Sequence, residues 1–188
     1  MEQAKQVSSR ARGGRWLAVV AAIGLAALAS PARADYPDKT ITLISGFAAG
    51  GSTDIIARAL APALSQALGV PVIVDVKAGA AGIVGADFIA KAKPDGYTLL
   101  VTTSSPMAIL PHTNETPLPY DAQKDIAGIS LLGITPEVLA INNKVSATSL
   151  KELVDLARTR QVSIGSSGTG GLPHLVIELL RNSTPGAN

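Results

Sequence analysis

Short polar residues follow an apolar run early in the chain, and their pattern suits the binding of an anion. The run at 41–44 predicts a β-strand, and the sequence Gly-Gly-Ser-Thr-Asp follows at 50–54. Apolar residues then recur at helical spacing over 56–68. The first N–H groups of such a helix lack partners and its dipole is positive there, so an anion is favoured. Because Ser52 and Thr53 add hydroxyl donors, we expect this loop to bind a carboxylate.

The same residues allow a simpler interpretation, in which Ser52, Thr53 or Asp54 caps the helix through its side chain. A single loop of this kind is more often a cap than a ligand site. However, two more glycine-rich loops, at 77–85 and 165–171, also stand between a predicted strand and a helical pattern. Three loops of one kind favour a shared ligand site over three unrelated caps.

The elements that must position these loops alternate between strands and helices. Further strands are predicted at 72–76, 97–101, 138–141 and 162–164, and further helices open near Ile83, at the Ser149–Glu152 capping box and near Pro173. Pro62 should disturb the first helix, and residues 111–125 are typical of a surface excursion. This order predicts an α/β fold with mostly parallel, doubly wound sheets, in which loops after the strands gather at one edge.

The same loops do not match the common catalytic motifs. The sequence 46–53 lacks the lysine of a phosphate-binding P-loop, the glycines at 79–85 do not have dinucleotide-binding spacing, and 165–168 is not a nucleophile elbow. His112 is expected in a solvated loop, whereas His174 is placed to donate to a ligand carboxylate, with a cap or surface role equally open. No catalytic residue, metal site or cofactor is therefore predicted.

The charge distribution argues against a nucleic-acid ligand. The 188 residues contain 16 basic and 14 acidic residues and no cysteine, but five basic residues and one acidic residue precede position 35. The remainder has a net charge of −2, which offers no basic patch. A basic start, an uncharged run at 16–29 and Ala32-Arg33-Ala34 predict a signal peptide over 1–34, with cleavage after Ala34. The mature chain is expected not to span a membrane.

Four segments carry a resemblance to a known family: YPDKTITLISGFAAGGSTDIIARALAPALSQALG, KAGAAGIVGADFIAKAKPDGYTLL, YDAQKDIAGISLL and SIGSSGTGGLPHL. In these, the chain resembles the Bug-type (TctC-like) substrate-binding proteins of tripartite tricarboxylate transporters. The resemblance implies a type II periplasmic binding protein, or Venus flytrap, with a first lobe over 35–134. A second lobe would begin over 135–188 and remain incomplete, since family members are much longer.

The resemblance also implies a function and a site. The receptor would bind a small carboxylate in the periplasm and deliver it to a permease with one large and one small subunit. Its carboxylate is typically held by backbone amides, hydroxyls and bridging waters. The residues so implied as ligand neighbours are Phe47, Ala49, Gly50, Ser52, Thr53, Asp54, Ala80, Ala81, Gly82, Thr103, Ser104, Ser167, Gly168, Thr169 and His174.

Departures from the family pattern affect two of these loops. Gly46 and Ala78 stand where proline is common, and Ala81 stands where glycine is usual. Two alternatives to a working receptor stay open from the sequence. One is a truncated, non-functional fragment of such a receptor; the other is a nucleotide-binding α/β domain.

Overall fold

The computed structural model describes residues 35–187, and the predicted signal peptide at 1–34 lies outside the described residues. Three parallel strands form the sheet: β1 (Ile41–Ser45), β2 (Val72–Val76) and β3 (Thr98–Val101). Their order is β2-β1-β3, with β1 in the centre. The predicted parallel sheet is thus confirmed in these three strands.

Five helices and two short turns complete the described elements. The helices are α1 (Ser52–Leu68), α2 (Ile83–Ala90), α3 (Leu110–Thr113), α4 (Leu150–Ala157) and α5 (Leu172–Ser183). A 3₁₀ turn at Ala80–Gly82 precedes α2, and a π-helical turn at Ser105–Ile109 precedes α3. No helix within residues 35–187 is both long and apolar enough to cross a bilayer.

The sheet is covered on both faces. Ile41 and Leu43 are buried on one face, where they form a core with Ala61 of α1. Successive side chains of a strand point to opposite faces, so the buried Ile44 faces the other side. There Gly85 of α2 packs beside Leu100, whose strand position pairs with Ile44. Helices on both faces confirm the doubly wound arrangement.

Pro62 lies inside α1 without ending it. Because proline has no N–H group, the carbonyl of Arg58 lacks its helical donor. Both residues are exposed, so water can supply that hydrogen bond. The helix ends at Gly69, whose left-handed backbone (φ 71°) allows its N–H to donate to Ser65 O at 3.0 Å.

A polar cluster fastens the amino end of the sheet. The Tyr97 hydroxyl donates to Asp38 Oδ1 at 2.6 Å and accepts the Asp38 N–H at 2.9 Å. Lys39 lies 4.1 Å above the Tyr97 ring and pairs with Asp95 at 3.3 Å. These contacts lie opposite the strand ends from which the glycine loops leave.

The strands predicted at 138–141 and 162–164 are wrong, since neither segment has regular structure. Residues 126–147 have no helix or strand, and Ile134 and Val138 are 87% and 81% exposed. A strand needs a neighbour for its backbone groups, and none of the three described strands lies beside these segments. Apolar, β-prone sequence alone did not make a strand here.

Two other local predictions are confirmed. Ser149 caps α4 by accepting the Glu152 N–H at 3.2 Å, while the Glu152 carboxylate accepts the Thr148 N–H at 2.7 Å. The excursion at 111–125 is mostly exposed. This segment is anchored to the fold by Tyr120, whose buried hydroxyl donates to Pro106 O at 2.7 Å.

Candidate functional site

The loop after β1 turns tightly into α1. The Gly51 N–H donates to Ala48 O at 3.1 Å, and Gly50 has a left-handed backbone with φ of 80°. Residues 48–50 are exposed, whereas Phe47 is partly buried. The tip of the turn is therefore in solvent, whereas Phe47 is partly covered by the rest of the protein.

The start of α1 carries N–H groups with no acceptor. Gly51 is the N-cap, and no side chain caps the helix, so capping by Ser52, Thr53 or Asp54 is wrong. Within residues 35–187 the backbone N–H groups of these three residues have no hydrogen-bond acceptor, the first helical bond being that of Ile55 to Gly51 O. Three donors at a positive helix end form a potential anion site.

The Thr53 and Asp54 side chains support the loop from behind. Thr53 is 4% exposed and its hydroxyl lies 3.1 Å from Ser45 Oγ. Asp54 is 3% exposed, and its Oδ2 accepts from Arg58 Nε and the Gly50 N–H, each at 2.9 Å. The Arg58 hydrogen bond, followed by that from Gly50, holds the pKa of Asp54 below its ordinary value. These side chains shape the loop and leave the backbone to meet a ligand.

The turn after β2 has positive φ angles throughout. Gly79, Ala80, Ala81 and Gly82 have φ of 145°, 46°, 53° and 95°. Such angles cost an alanine about 1–2 kcal/mol, which explains why glycine suits position 81. A Cβ at position 82 would lie 3.1 Å from ring carbons of Phe47, so this turn packs closely on the loop after β1.

The loop after β3 brings hydroxyls to the same edge. The Ser105 N–H donates to Thr103 Oγ1 at 3.3 Å, while Thr102 Oγ1 is buried and has no partner in the described chain. Ser104 is exposed, whereas Ser105 is buried. Pro106 closes the gap to the turn after β2, since a Cβ on Gly82 would lie 2.9 Å from its Cγ.

The loop before α5 packs on these elements from the other side. A Cβ at Gly168 would lie 2.4 Å from the Cβ of Ala81, so the two backbones are in direct contact. The Gly170 carbonyl accepts from Thr113 Oγ1 at 3.0 Å. The Leu172 N–H, at the start of α5, donates to Ser105 Oγ at 3.1 Å.

The two ring nitrogens of His174 face groups close to it in the sequence. Its Nδ1 accepts the Gly170 N–H at 3.0 Å, which leaves the other ring nitrogen to carry the hydrogen in the neutral form. Nε2 lies 3.7 Å from Glu178 Oε1. In this arrangement His174 orders the loop before α5, and donation to a ligand would be through Nε2 only.

Two pairs of the predicted ligand neighbours are in contact at one edge of the sheet. Phe47 contacts Gly82, and Ala81 contacts Gly168. Of the remaining predicted positions, those exposed to solvent are Ala49, Gly50, Ser52, Ala80, Ser104, Ser167 and Thr169, and Thr103 is partly exposed. Ser105 was missed, although it stands in the same hydroxyl run as Thr103 and Ser104. Its distinction is burial, which the sequence does not reveal.

The charged groups at this edge are few. Asp54 is the buried carboxylate and Arg58 its partner. Within residues 35–187 no group of three or more His, Cys, Asp or Glu side chains is placed to hold a metal ion. What the edge offers a ligand is mainly backbone N–H groups and hydroxyls.

Comparison with known proteins gives matches along most of the chain. Residues 56–187 match the model of the TctC family, described as the tripartite tricarboxylate transporter family receptor. Protein BugT of Bordetella pertussis is 38% identical over 177 residues, which is 92% of this chain and 54% of BugT. The chain spans about half the length of the curated relatives it matches.

Two solved structures show the same fold. A periplasmic transporter is 41% identical with a TM-score of 0.68, over 79% of this chain and 50% of that one. An R. palustris protein solved with adipate is 31% identical with a TM-score of 0.75, over 80% of this chain and 50% of that one. In both comparisons, the matched region makes up 50% of the longer chain.

Proposed function

Because the chain belongs to the family of tripartite tricarboxylate transporter receptors, we propose that it binds a small carboxylate in the periplasm. The carboxylate is a di- or tricarboxylate or a related organic acid, which the receptor delivers to a membrane permease with one large and one small subunit. In this proposal residues 1–34 direct export and are cleaved after Ala34. Residues 35–134 belong to the first lobe, and residues 135–188 form the start of the second.

The observation that carries the proposal is the free start of α1. Three consecutive N–H groups, those of Ser52, Thr53 and Asp54, have no acceptor within residues 35–187. The turn after β2 packs on the loop that leads into α1, through a contact between Gly82 and the Phe47 ring. An acceptor-only group, such as a carboxylate, complements donors of this kind.

The energetics require several such bonds. A micromolar Kd corresponds to about −8 kcal/mol, and a hydrogen bond to a charged group contributes about 1.5–3 kcal/mol. Three to five bonds to the solute therefore account for that affinity. Arg58 is already paired with Asp54. The solute carboxylate is therefore held by aligned N–H groups rather than by this arginine.

Titration calorimetry of the purified chain tests the proposal. Adipate is the first ligand, since it is the one bound in the R. palustris relative; citrate, succinate, glutamate and an aromatic acid follow. We expect saturable heat and a raised Tm with at least one acid. Adipamide, the uncharged counterpart of adipate, should bind much more weakly because it loses the charge-assisted bonds. An absence of heat and of Tm shift with every acid would contradict the proposal.

A further inference from the structure

The loop at 168–171 fits against the rest of the fold without any solute. Gly168 lies against Ala81, and Gly171 packs tightly on Ser105, because a Cβ at position 171 would lie 3.1 Å from Ser105 Oγ. The Gly170 carbonyl accepts from Thr113 Oγ1 at 3.0 Å. These contacts join segments far apart in the sequence, so the loop at 168–171 is packed against the loops that follow β2 and β3.

The start of α5 differs from the start of α1 in one respect. The Leu172 N–H already donates to Ser105 Oγ at 3.1 Å, and position 173 is proline, which has no N–H group. Ser105 is 4% exposed, so this hydroxyl is held in place. The first donor that α5 would offer to an anion, the Leu172 N–H, is therefore occupied by the chain itself, whereas the first three donors of α1 have no acceptor within residues 35–187.

We propose that Ser105 is a positioning residue that latches the loop at 168–171 against the turn at 79–82 in the absence of solute. The Ser105 latch consists of Ser105 Oγ and the Leu172 N–H, supported by the Thr113–Gly170 hydrogen bond. This inference rests on the proposed function, in which the solute carboxylate binds at the start of α1. The Leu172 N–H then does not bind the solute and instead helps the loop to close over it. The latch lowers the cost of closing over the solute, because that arrangement exists before binding.

Amide hydrogen exchange of the solute-free chain, resolved by NMR, tests the latch. In Ser105→Ala the Leu172 N–H loses its acceptor, and we expect its exchange to become about three- to tenfold faster. Thr113→Val, a change at an exposed site, removes the supporting bond and should speed exchange of the same amide. Amides in the interior of α1 should be unaffected in both variants. Ser163→Ala, at an exposed coil position, is the matched control and should change neither.

The direction of the affinity change gives the second readout. With Ser105 as a positioning residue, Ser105→Ala weakens adipate binding about three- to tenfold, because closure then costs more. If the hydroxyl instead occupied a solute site, its removal would free the Leu172 N–H and tighten binding, which would overturn the inference. Unchanged exchange in both Ser105→Ala and Thr113→Val would overturn it as well. If adipate bound no variant, the proposed function would fail for that acid, and the exchange rates would still decide the latch.

Discussion

Replacing Ser52 by proline removes one N–H group from the start of α1 while leaving the helix in place. Ser52 is the first helical residue, after the N-cap Gly51, and proline is favoured at that position. Gly51 has an extended backbone, with φ of −75° and ψ of 170°, as the residue before a proline requires. The side chain at 52 is exposed, and the ring Cδ takes the place of the amide hydrogen.

The matched variant is Ser52→Ala, which removes the hydroxyl and keeps the N–H group. The difference between the two variants therefore reports the replacement of one backbone N–H by the proline Cδ. A hydrogen bond from that donor to a carboxylate is worth about 1.5–3 kcal/mol, or about ten- to 150-fold in Kd. Stability should not fall, since proline in a compatible conformation adds about 0.4–1 kcal/mol.

Calorimetric titration with adipate and thermal unfolding of the free variants measure both quantities. We expect Ser52→Pro to bind about ten- to 150-fold more weakly than Ser52→Ala, with an equal or higher Tm. If the two variants bound adipate equally while both remained folded, the N–H group at 52 would not hold the solute. The account of α1 as the carboxylate site would then be refuted.

Three further changes test the framework around the site. Gly168→Ala places a Cβ 2.4 Å from the neighbouring turn and should cost about 1–3 kcal/mol in urea unfolding, whereas Gly128→Ala, with nothing within 4 Å, should cost little. Asp54→Asn removes a carboxylate whose pKa is lowered in the folded chain; its contribution is complete above about pH 4 and is lost as pH falls through the folded pKa. The stability gap between wild type and this variant should therefore close below pH 4, and a constant gap from pH 6 to pH 3 would contradict it. Tyr120→Phe leaves the buried hydrogen bond to Pro106 unmade, so we expect a loss of about 1–3 kcal/mol and earlier proteolysis within 111–125.

The part of the fold nearest β1 was predictable because local signals and packing agree there. The apolar run of β1, the glycines after it and the helical spacing of α1 all describe one strand–loop–helix unit, and the structure contains it. The cap of α1 was predicted wrongly, since Gly51 rather than Ser52, Thr53 or Asp54 is the N-cap. A glycine in extended conformation capped the helix, and neighbouring Ser52 and Thr53 offered more obvious caps by composition alone.

The segments that failed depend on partners that no local pattern supplies. Residues 138–141 have the composition of a strand but lie beside no strand within residues 35–187. Similarly, the left-handed backbone of Ala81 follows from its contacts with Gly168, since alanine itself disfavours that conformation. The orientation of His174 depends on its hydrogen bond with the Gly170 N–H, a contact fixed by loop geometry rather than by residue type.

The Tyr97 cluster and the glycine loops occupy opposite ends of the same three strands. An attachment at Lys39, whose side chain is largely exposed, would therefore be separated from the glycine loops by the full length of the sheet. The sequence contains no cysteine, so a single introduced thiol would react alone with a dye or a sensor surface. Immobilised in that orientation, the chain would present its glycine loops outward to a flowing sample.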